Sequence, residues 1–391
     1  MGLKFLLCLA LLLVWGTTRH QVNARLVVNR SHVADSFRSL VSGVGSQLAR
    51  GFPRPKELLR QSKQLFIGLP ERAVFGTIHQ LCSAYIHSER IYPQISPEIE
   101  EMSFQLRTPC SAESFPIEEA ENILDSPNFD VNKKLVLFVG GWTSTIESNS
   151  IAYLAKAYNC RGDYNFLALN ASYFIDTLYS WSAFNTEEMG RFVAIGLEKL
   201  AREVPIENIH LVGFSLGAHI VGSAGRYFQE MTGLRLPRIT GLDPANPCFN
   251  EGEYLSGLQR GDADFIDVIH TNPGGLGKKD HIGDIDFYAG GFSNVKPGCS
   301  MFRCSHQRAW RYYGESVYPG HESDFMATRC SSLRKVHNGM CSRQPVPMGF
   351  ATPSSEKGIY VVPVKSKSPY GGTANRDDDI ITSECGLCTT K

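Results

Sequence analysis

The stretch that decides the fold is Asn208-Ile-His-Leu-Val-Gly-Phe-Ser215-Leu-Gly217, and a helix-compatible segment runs from Leu216 to Met231. An apolar run that ends in Gly-x-Ser-x-Gly is typical of a strand that turns sharply into a helix. Such a turn projects the serine hydroxyl clear of the sheet, and small flanking residues let it close. The first N–H groups of the helix then point at the serine, where they can stabilise an oxyanion. The pattern predicts Ser215 as a nucleophile.

Other apolar runs of strand length flank this one on both sides. They are residues 136–139, 165–169, 238–242 and 265–269. Helix-compatible segments fall between several of them, for example from Glu187 to Glu203. Strands that alternate with helices indicate βαβ units. The sequence therefore predicts the α/β class with a mostly parallel central sheet.

A serine nucleophile needs an acid and a histidine, which follow it in that order in this kind of fold. Asp243 ends an apolar run and enters Pro244-Ala-Asn-Pro247, a rigid loop that would hold a carboxylate still. We therefore expect Asp243 to be the acid. The nearby acids are interpreted as surface groups; they are Asp262, Asp264 and Asp267.

Five histidines follow Asp243, and His306 is the best candidate for the base. It comes directly after Cys304 and Ser305, on a loop that a Cys299–Cys304 disulfide would pin. His270 ends an apolar strand and is interpreted as a hydrogen-bonded core residue. The others are expected at the surface; they are His281, His321 and His337.

Composition excludes several classes of protein. The chain has 391 residues, of which 42% are hydrophobic, and its 39 basic and 39 acidic side chains give a formal net charge of zero. This profile excludes a disordered chain, a collagen-like repeat and a coiled coil. Phosphate binding needs clustered excess Lys and Arg, so nucleic acid is not an expected partner. Electrostatic docking onto anionic lipid is disfavoured for the same reason.

The N-terminus predicts export. Lys4 precedes an apolar run from Phe5 to Trp15, and Val22-Asn23-Ala24 has the form of a cleavage site. We expect residues 1–24 to be a signal peptide and the mature chain to be secreted, because the run falls short of the ~20 residues of a spanning helix. Residues 25–97 are expected to form a helical N-terminal extension. It is either an accessory layer on the core or a surface for lipid or a partner.

Cysteine usage agrees with an oxidising compartment. Ten cysteines remain after the signal peptide, and Cys330 with Cys341 is a second plausible local pair. Cys385-Gly-Leu-Cys388 could be a metal or redox motif, although structural disulfides are preferred because no second CxxC completes a zinc site. Residues 366–391 are expected to form a loose C-terminal tail. Two glycosylation sequons begin at Asn29 and Asn170.

Four successive blocks resemble the signatures of the pancreatic lipase family. They are Gly213-Phe-Ser-Leu-Gly-Ala-His219, Gly241-Leu-Asp-Pro-Ala-Asn-Pro-Cys248, Asp267-Val-Ile-His-Thr271 and Cys304-Ser-His306. They occur in the family's order over residues 98–365. The resemblance is nearest to the insect secreted lipases, and the venom phospholipases A1 and the fly yolk proteins are nearby branches.

The resemblance implies an α/β-hydrolase fold with a catalytic triad of Ser215, Asp243 and His306. It also implies that the backbone N–H groups of Leu216 and Trp142 bind the oxyanion, although the family often has His where this chain has Gly140. No cofactor is implied.

Departures from the family pattern bear on substrate and partners. The lid between Cys299 and Cys304 is only four residues long, which resembles the phospholipase A1 branch. Asp262 matches one calcium ligand of the family, but Gln259 replaces a neighbouring acid, so no metal is expected. We expect no C-terminal β-sandwich domain in the residues after His306, and hence no colipase-like partner.

Two classes of function remain. The first is hydrolysis of a lipid acyl ester, phospholipid or acylglycerol, at an apolar interface. The second is a lipid-binding or storage protein like the fly yolk proteins, which resemble lipases but lack the nucleophile. The complete set of triad residue types favours the enzyme.

Overall fold

A computed structural model describes residues 97–177, 179–249, 255–338, 340–341, 345–375 and 383–388. The strands are β1 Ser103–Arg107, β2 Ala112–Pro116, β3 Lys134–Val139, β4 Tyr164–Asn170, β5 Ile209–Phe214, β6 Arg238–Leu242, β7 Phe265–His270, β8 Ile285–Ala289, β9 Met326–Cys330, β10 Pro345–Pro347 and β11 Gly358–Val362. The helices are α1 Asn149–Arg161, α2 Ser172–Ile175, α3 Tyr179–Phe184, α4 Thr186–Leu200, α5 Leu216–Thr232, α6 Phe302–Val317 and α7 Leu333–His337. Short 3₁₀ helices are Ile99–Glu101, Ile117–Ile123 and Ile206–Asn208. The predicted signal peptide, nearly all of the predicted extension and the sequon at Asn29 lie outside the described residues.

The strands of the described part of the chain form one sheet in the order β10-β9-β11-β8-β7-β6-β5-β3-β4-β1-β2. Each neighbouring pair from β11 to β4 runs parallel. The two strands at either edge pair antiparallel. The α/β class, the mostly parallel sheet and the α/β-hydrolase fold are confirmed.

Helices cover both faces of the sheet, which explains why its strands are apolar runs without alternation. Every residue of β5 is buried. Val212 and Phe214 belong to the core that includes α1 and α6. Gly213 faces the other way, because a Cβ atom there would lie 2.5 Å from Cα of Ala218 in α5. A glycine at this position lets α5 approach the strand closely.

The two helices predicted next to the serine are confirmed as α4 and α5. They pack against each other, and α5 also packs on β5 and β6. Gly233, in the left-handed conformation with φ 74°, ends α5. Within the described residues, no helix is both long and apolar enough to cross a bilayer.

Disulfides tie distant parts of the chain together. The predicted Cys299–Cys304 and Cys330–Cys341 bonds are confirmed. The CxxC segment contributes to two separate disulfides, Cys110–Cys388 and Cys160–Cys385. It is therefore structural, as preferred.

The expectation of a loose tail is wrong for its described residues, 366–375 and 383–388. The two disulfides of the CxxC segment bind the end of the tail to α1 and to the β1–β2 turn. Closer to the sheet, the backbone N–H of Tyr370 donates to the buried carboxyl group of Glu315 at 2.7 Å. The described residues past 365 therefore belong to the folded unit.

Candidate active site

Ser215 occupies a strained turn between β5 and α5. Its backbone has φ 57° and ψ −120°, a conformation that non-glycine residues rarely adopt. The turn is tightly packed: a Cβ atom at Gly217 would lie 2.1 Å from the carbonyl oxygen of Val139. One at Gly141 would lie 2.6 Å from Cβ of Ser215. The glycines of the pentapeptide and of the β3 end are thus required by close backbone approach.

Asp243 follows β6 and is fully buried. Its Oδ1 accepts hydrogen bonds from the backbone N–H groups of Thr271 at 2.8 Å and Asn272 at 3.0 Å. Gly277 packs so closely that a Cβ atom there would lie 2.3 Å from Oδ1. The carboxylate is therefore held by the loop that follows β7, and its Oδ2 remains for another partner.

That partner is His306. Its Nδ1 lies 2.5 Å from Oδ2 of Asp243, and its ring lies 4.7 Å from the ring of Phe214, which precedes Ser215. Because a carboxylate only accepts, Nδ1 must donate, which leaves Nε2 of the neutral ring as an acceptor. The expectation that His306 lies on a loop is wrong. It lies in the first turns of α6, since that helix begins before the disulfide-bonded Cys304.

The two predicted oxyanion donors lie at the expected elements. Leu216 is the first residue of α5, where unpaired N–H groups and the positive end of the helix dipole favour an anion. Trp142 follows Gly141, and its indole Nε1 donates to the carbonyl oxygen of Thr177 at 2.7 Å. Its ring also packs edge-on against Tyr179. The indole is thereby fixed, and oxyanion binding by both N–H groups stays a prediction.

Sequence reasoning assigned no role to His219, which hydrogen-bonds to the segment that follows Asp243. Its Nε2 donates to the carbonyl oxygen of Ala245 at 2.8 Å, and its Nδ1 accepts from the backbone N–H of Leu258 at 2.9 Å. The ring stacks on Phe249 at 3.7 Å. Burial lowers the pKa of His219 to about 3, so the ring is neutral. A histidine in the small and apolar first turn of α5 was the available signal.

The interpretation of Asp262 and Asp267 as surface groups is wrong, because both are buried. Asp262 forms an ion pair with Arg226 at 2.8 Å, and Asp267 forms one with Arg238 at 2.8 Å. Asp264 is exposed as expected.

The candidate calcium ligand is thus already engaged by a cation. Oδ2 of Asp262 also accepts the backbone N–H of Gln259 at 2.9 Å. In the described ranges, no group of three or more His, Cys, Asp or Glu side chains could hold a metal ion.

The other histidines that follow Asp243 have different surroundings. His270 is a hydrogen-bonded core residue as predicted, with contacts to Asp286 at 2.7 Å and to a backbone carbonyl at 2.8 Å. His337 is exposed as predicted. His281 and His321 are half-buried instead, because Asp286 and Asp324 respectively bind their rings.

Comparison with known proteins adds a family. A model of the family described as lipase matches residues 83–370. Vitellogenin-1 of Ceratitis capitata is 36% identical over 212 residues, which are 54% of this chain and 48% of that protein. Lipoprotein lipase of Rattus norvegicus is 32% identical over 271 residues, 62% of this chain and 56% of that protein. Phospholipase A1 of Vespa crabro is 32% identical over 259 residues, 61% of this chain and 83% of that protein.

The chain spans about half the length of the first two of these relatives. The family match covers most of the chain and includes all three triad candidates. Together with the α/β-hydrolase sheet and the Asp243–His306 hydrogen bond, it identifies the chain as a member of the lipase family.

Proposed function

We propose that this chain is a secreted hydrolase of lipid acyl esters that uses Ser215, His306 and Asp243 through an acyl-enzyme. The observation that carries the proposal is the 2.5 Å hydrogen bond from Nδ1 of His306 to Asp243. It sets the tautomer in which Nε2 can accept the proton of the serine.

In the first half of the reaction, Oγ of Ser215 attacks the acyl carbonyl carbon while Nε2 of His306 takes its proton. Negative charge develops on the carbonyl oxygen, and the backbone N–H groups of Leu216 and Trp142 stabilise it. The tetrahedral intermediate collapses as His306 returns the proton to the leaving alkoxide. Asp243 stays ionised and stabilises the imidazolium that forms.

In the second half, water attacks the acyl-enzyme. His306 now takes a proton from the water, and the same backbone groups stabilise the second oxyanion. The proton then passes to Oγ of Ser215 as the fatty acid leaves.

The preferred substrate in this proposal is a phospholipid cleaved at the sn-1 position. Only Ser300–Arg303 separate the bonded cysteines, and α6 begins within that segment. A lid this short leaves room for a bulky head group. The phospholipase A1 of Vespa crabro, 83% of which is covered, supports the same choice.

Export is part of the proposal. The N-terminal apolar run supports it, and so do the disulfides, which persist in oxidising compartments. The lipid substrate would be met at an apolar interface, without colipase.

The second candidate function is lipid binding or storage without catalysis. It is favoured by the similarity to vitellogenin-1 of Ceratitis capitata. The two functions differ in whether Ser215 turns over an ester.

The test uses the purified full chain, the variant Ser215→Ala and a matched control, Ser223→Ala. The control removes a buried hydroxyl group of α5 that donates to the carbonyl oxygen of Glu187. Each protein is incubated with phosphatidylcholine carrying different acyl chains at sn-1 and sn-2, with phosphatidylserine and with triolein. Released acyl chains are identified by mass spectrometry.

We expect release from sn-1 by the wild type and by Ser223→Ala, and none by Ser215→Ala. Triolein hydrolysis would overturn the phospholipid preference. Release that persists in Ser215→Ala would overturn the assignment of the nucleophile, and no release from any ester would favour the storage function.

A further inference from the structure

A buried lysine lies in the loop of residues 290–299 that joins β8 to α6. Lys296 is 1% exposed. Its Nζ donates to the carbonyl oxygens of Gly291 at 2.8 Å and Ser293 at 2.7 Å. No carboxylate of the described residues lies within ion-pair distance of it. The ammonium therefore closes the first half of this loop around itself.

The backbone of Lys296 is hydrogen-bonded to residues that shortly precede His306 in the chain. Its N–H donates to Oγ of Ser305 at 2.9 Å, and its carbonyl oxygen accepts from the N–H of Cys299 at 2.9 Å. Ser305 precedes His306, and Cys299 carries the disulfide that closes onto α6. A shift of Lys296 would thus be transmitted to the histidine.

The same loop also supports Asp243. The side-chain amide of Asn272 donates to the carbonyl oxygen of Asn294 in the loop. The backbone N–H of Asn272 in turn donates to Oδ1 of Asp243 at 3.0 Å. The 290–299 loop therefore contacts Asn272, which bonds to Asp243, and Ser305, which precedes His306.

Lys296 and Asp243 also interact electrostatically. Burial lowers the pKa of Lys296 to about 7, and the Asp243 carboxylate opposes that lowering by favouring the ammonium. Helix α6, which follows the loop, also carries charged or titratable groups, namely Arg303, His306, Arg308, Arg311, Tyr312, Tyr313 and Glu315. Arg308 donates to the carbonyl oxygen of Pro297, next to Lys296.

A methionine would fill the same elongated space without taking a charge out of water. A buried ammonium with carbonyl partners alone is costly to the fold, which points to a role beyond packing.

We propose that Lys296 is a positioning residue for the Asp243–His306 pair. Its ammonium holds the 290–299 loop against Asn272 and Ser305, and its positive charge attracts the carboxylate of Asp243. This inference rests on the proposed function and goes beyond it.

The test compares the wild type with Lys296→Met and with a matched control, Lys365→Met. Lys365 also donates its Nζ to a backbone carbonyl, that of Ala374, but it makes no contact with the triad candidates among the described interactions. The measurements are kcat and KM on a soluble ester, the pH profile of kcat/KM, and the low-field proton resonance of the Asp243–His306 hydrogen bond by NMR.

We expect Lys296→Met to lower kcat about tenfold with KM little changed, because a small misplacement of a catalytic group is costly. Loss of the nearby positive charge makes proton uptake by the pair easier, so the acid limb of the profile moves to higher pH. The NMR resonance shifts or broadens. Lys365→Met should match the wild type in all three measurements.

Wild-type kcat, pH profile and resonance in Lys296→Met would overturn the proposal. If Lys296→Met does not fold, Lys296→Gln retains a donor for the loop carbonyls, and the shifted acid limb is sought there. If the wild type hydrolyses no ester, the proposed function fails. The NMR resonance then still decides whether Lys296 positions the pair.

Discussion

Replacing Asp243 by asparagine exchanges one carboxylate oxygen at the centre of the candidate site for an NH2 group while preserving the shape of the side chain. The backbone N–H groups of Thr271 and Asn272 both point at Oδ1. They require an acceptor, so the carbonyl oxygen of the new amide takes that position. The amide nitrogen then faces Nδ1 of His306, where Oδ2 now lies at 2.5 Å.

This orientation reverses the tautomer of the histidine. The amide donates to Nδ1, so the ring proton moves to Nε2, which can no longer accept the proton of Ser215. We expect kcat to fall by about 10⁴-fold, the order of effect of a reversed tautomer in a triad. At about 1.36 kcal/mol for each factor of ten, this corresponds to roughly 5.5 kcal/mol of transition-state stabilisation. The fold should be little affected, because every hydrogen-bonding atom keeps a partner.

The assay follows hydrolysis of a soluble p-nitrophenyl ester and of a phospholipid, with Ser215→Ala as baseline. Asp262→Asn is the matched control, since Asp262 is also a buried carboxylate bonded to a basic side chain, but its partner is Arg226. We expect it to lower the melting temperature and leave kcat nearly unchanged. Retention of more than about a tenth of the wild-type kcat by folded Asp243→Asn would refute the tautomer reasoning.

Three further predictions concern the rest of the fold. Arg226→Met leaves the carboxylate of Asp262 buried without its cation, so urea denaturation should find the free energy of unfolding lower by about 3–5 kcal/mol; an unchanged value would contradict the pairing. Cys385→Ser removes the bond to Cys160 and should cost about 2–5 kcal/mol and speed tryptic release of the tail, whereas equal protease resistance would mean that the bond is dispensable. Because burial in the folded chain lowers the pKa of Lys296 to about 7, the free-energy cost of burying its charge is fully present below that pH. That cost disappears as the pH rises to the pKa of free lysine, about 10.4. The free energy of unfolding of the wild type should therefore rise over this range relative to that of Lys296→Met, and parallel curves of stability against pH would contradict the burial of the charge.

The sheet and the pair behind the serine could be predicted because their signals are local. Each parallel strand is a continuous apolar run, since helices cover both of its faces. Ser215 and Asp243 directly follow such strands, and the carboxyl ends of parallel strands lie at one edge of the sheet. The Cys299–Cys304 disulfide next to His306 is also local, because its cysteines are separated by 5 positions in the sequence.

The wrong predictions concern residues whose partners lie far away in the sequence. From the sequence alone, Asp262 and Asp267 are interpreted as surface groups, because the sequence does not show that Arg226 and Arg238 form ion pairs with them in the folded chain. The tail looked loose because its disulfide partners are more than 200 residues away, with separations of 225 and 278.

The supports of the site were missed for the same reason. His219 holds a loop 26 and 39 residues further along the chain. Lys296 had no motif of its own to attract attention. Chemistry is recognisable in sequence where it is local, whereas the groups that position it are brought together only by the fold.

In the proposed mechanism, Ser215 is a nucleophile activated by His306. The most direct measurement is covalent labelling of the purified full chain with a fluorophosphonate, followed by intact mass and peptide mapping, alongside His306→Ala. We expect one adduct, on Ser215, that forms roughly 10³-fold more slowly in His306→Ala. Absence of an adduct on Ser215, or labelling of His306→Ala at the wild-type rate, would contradict it.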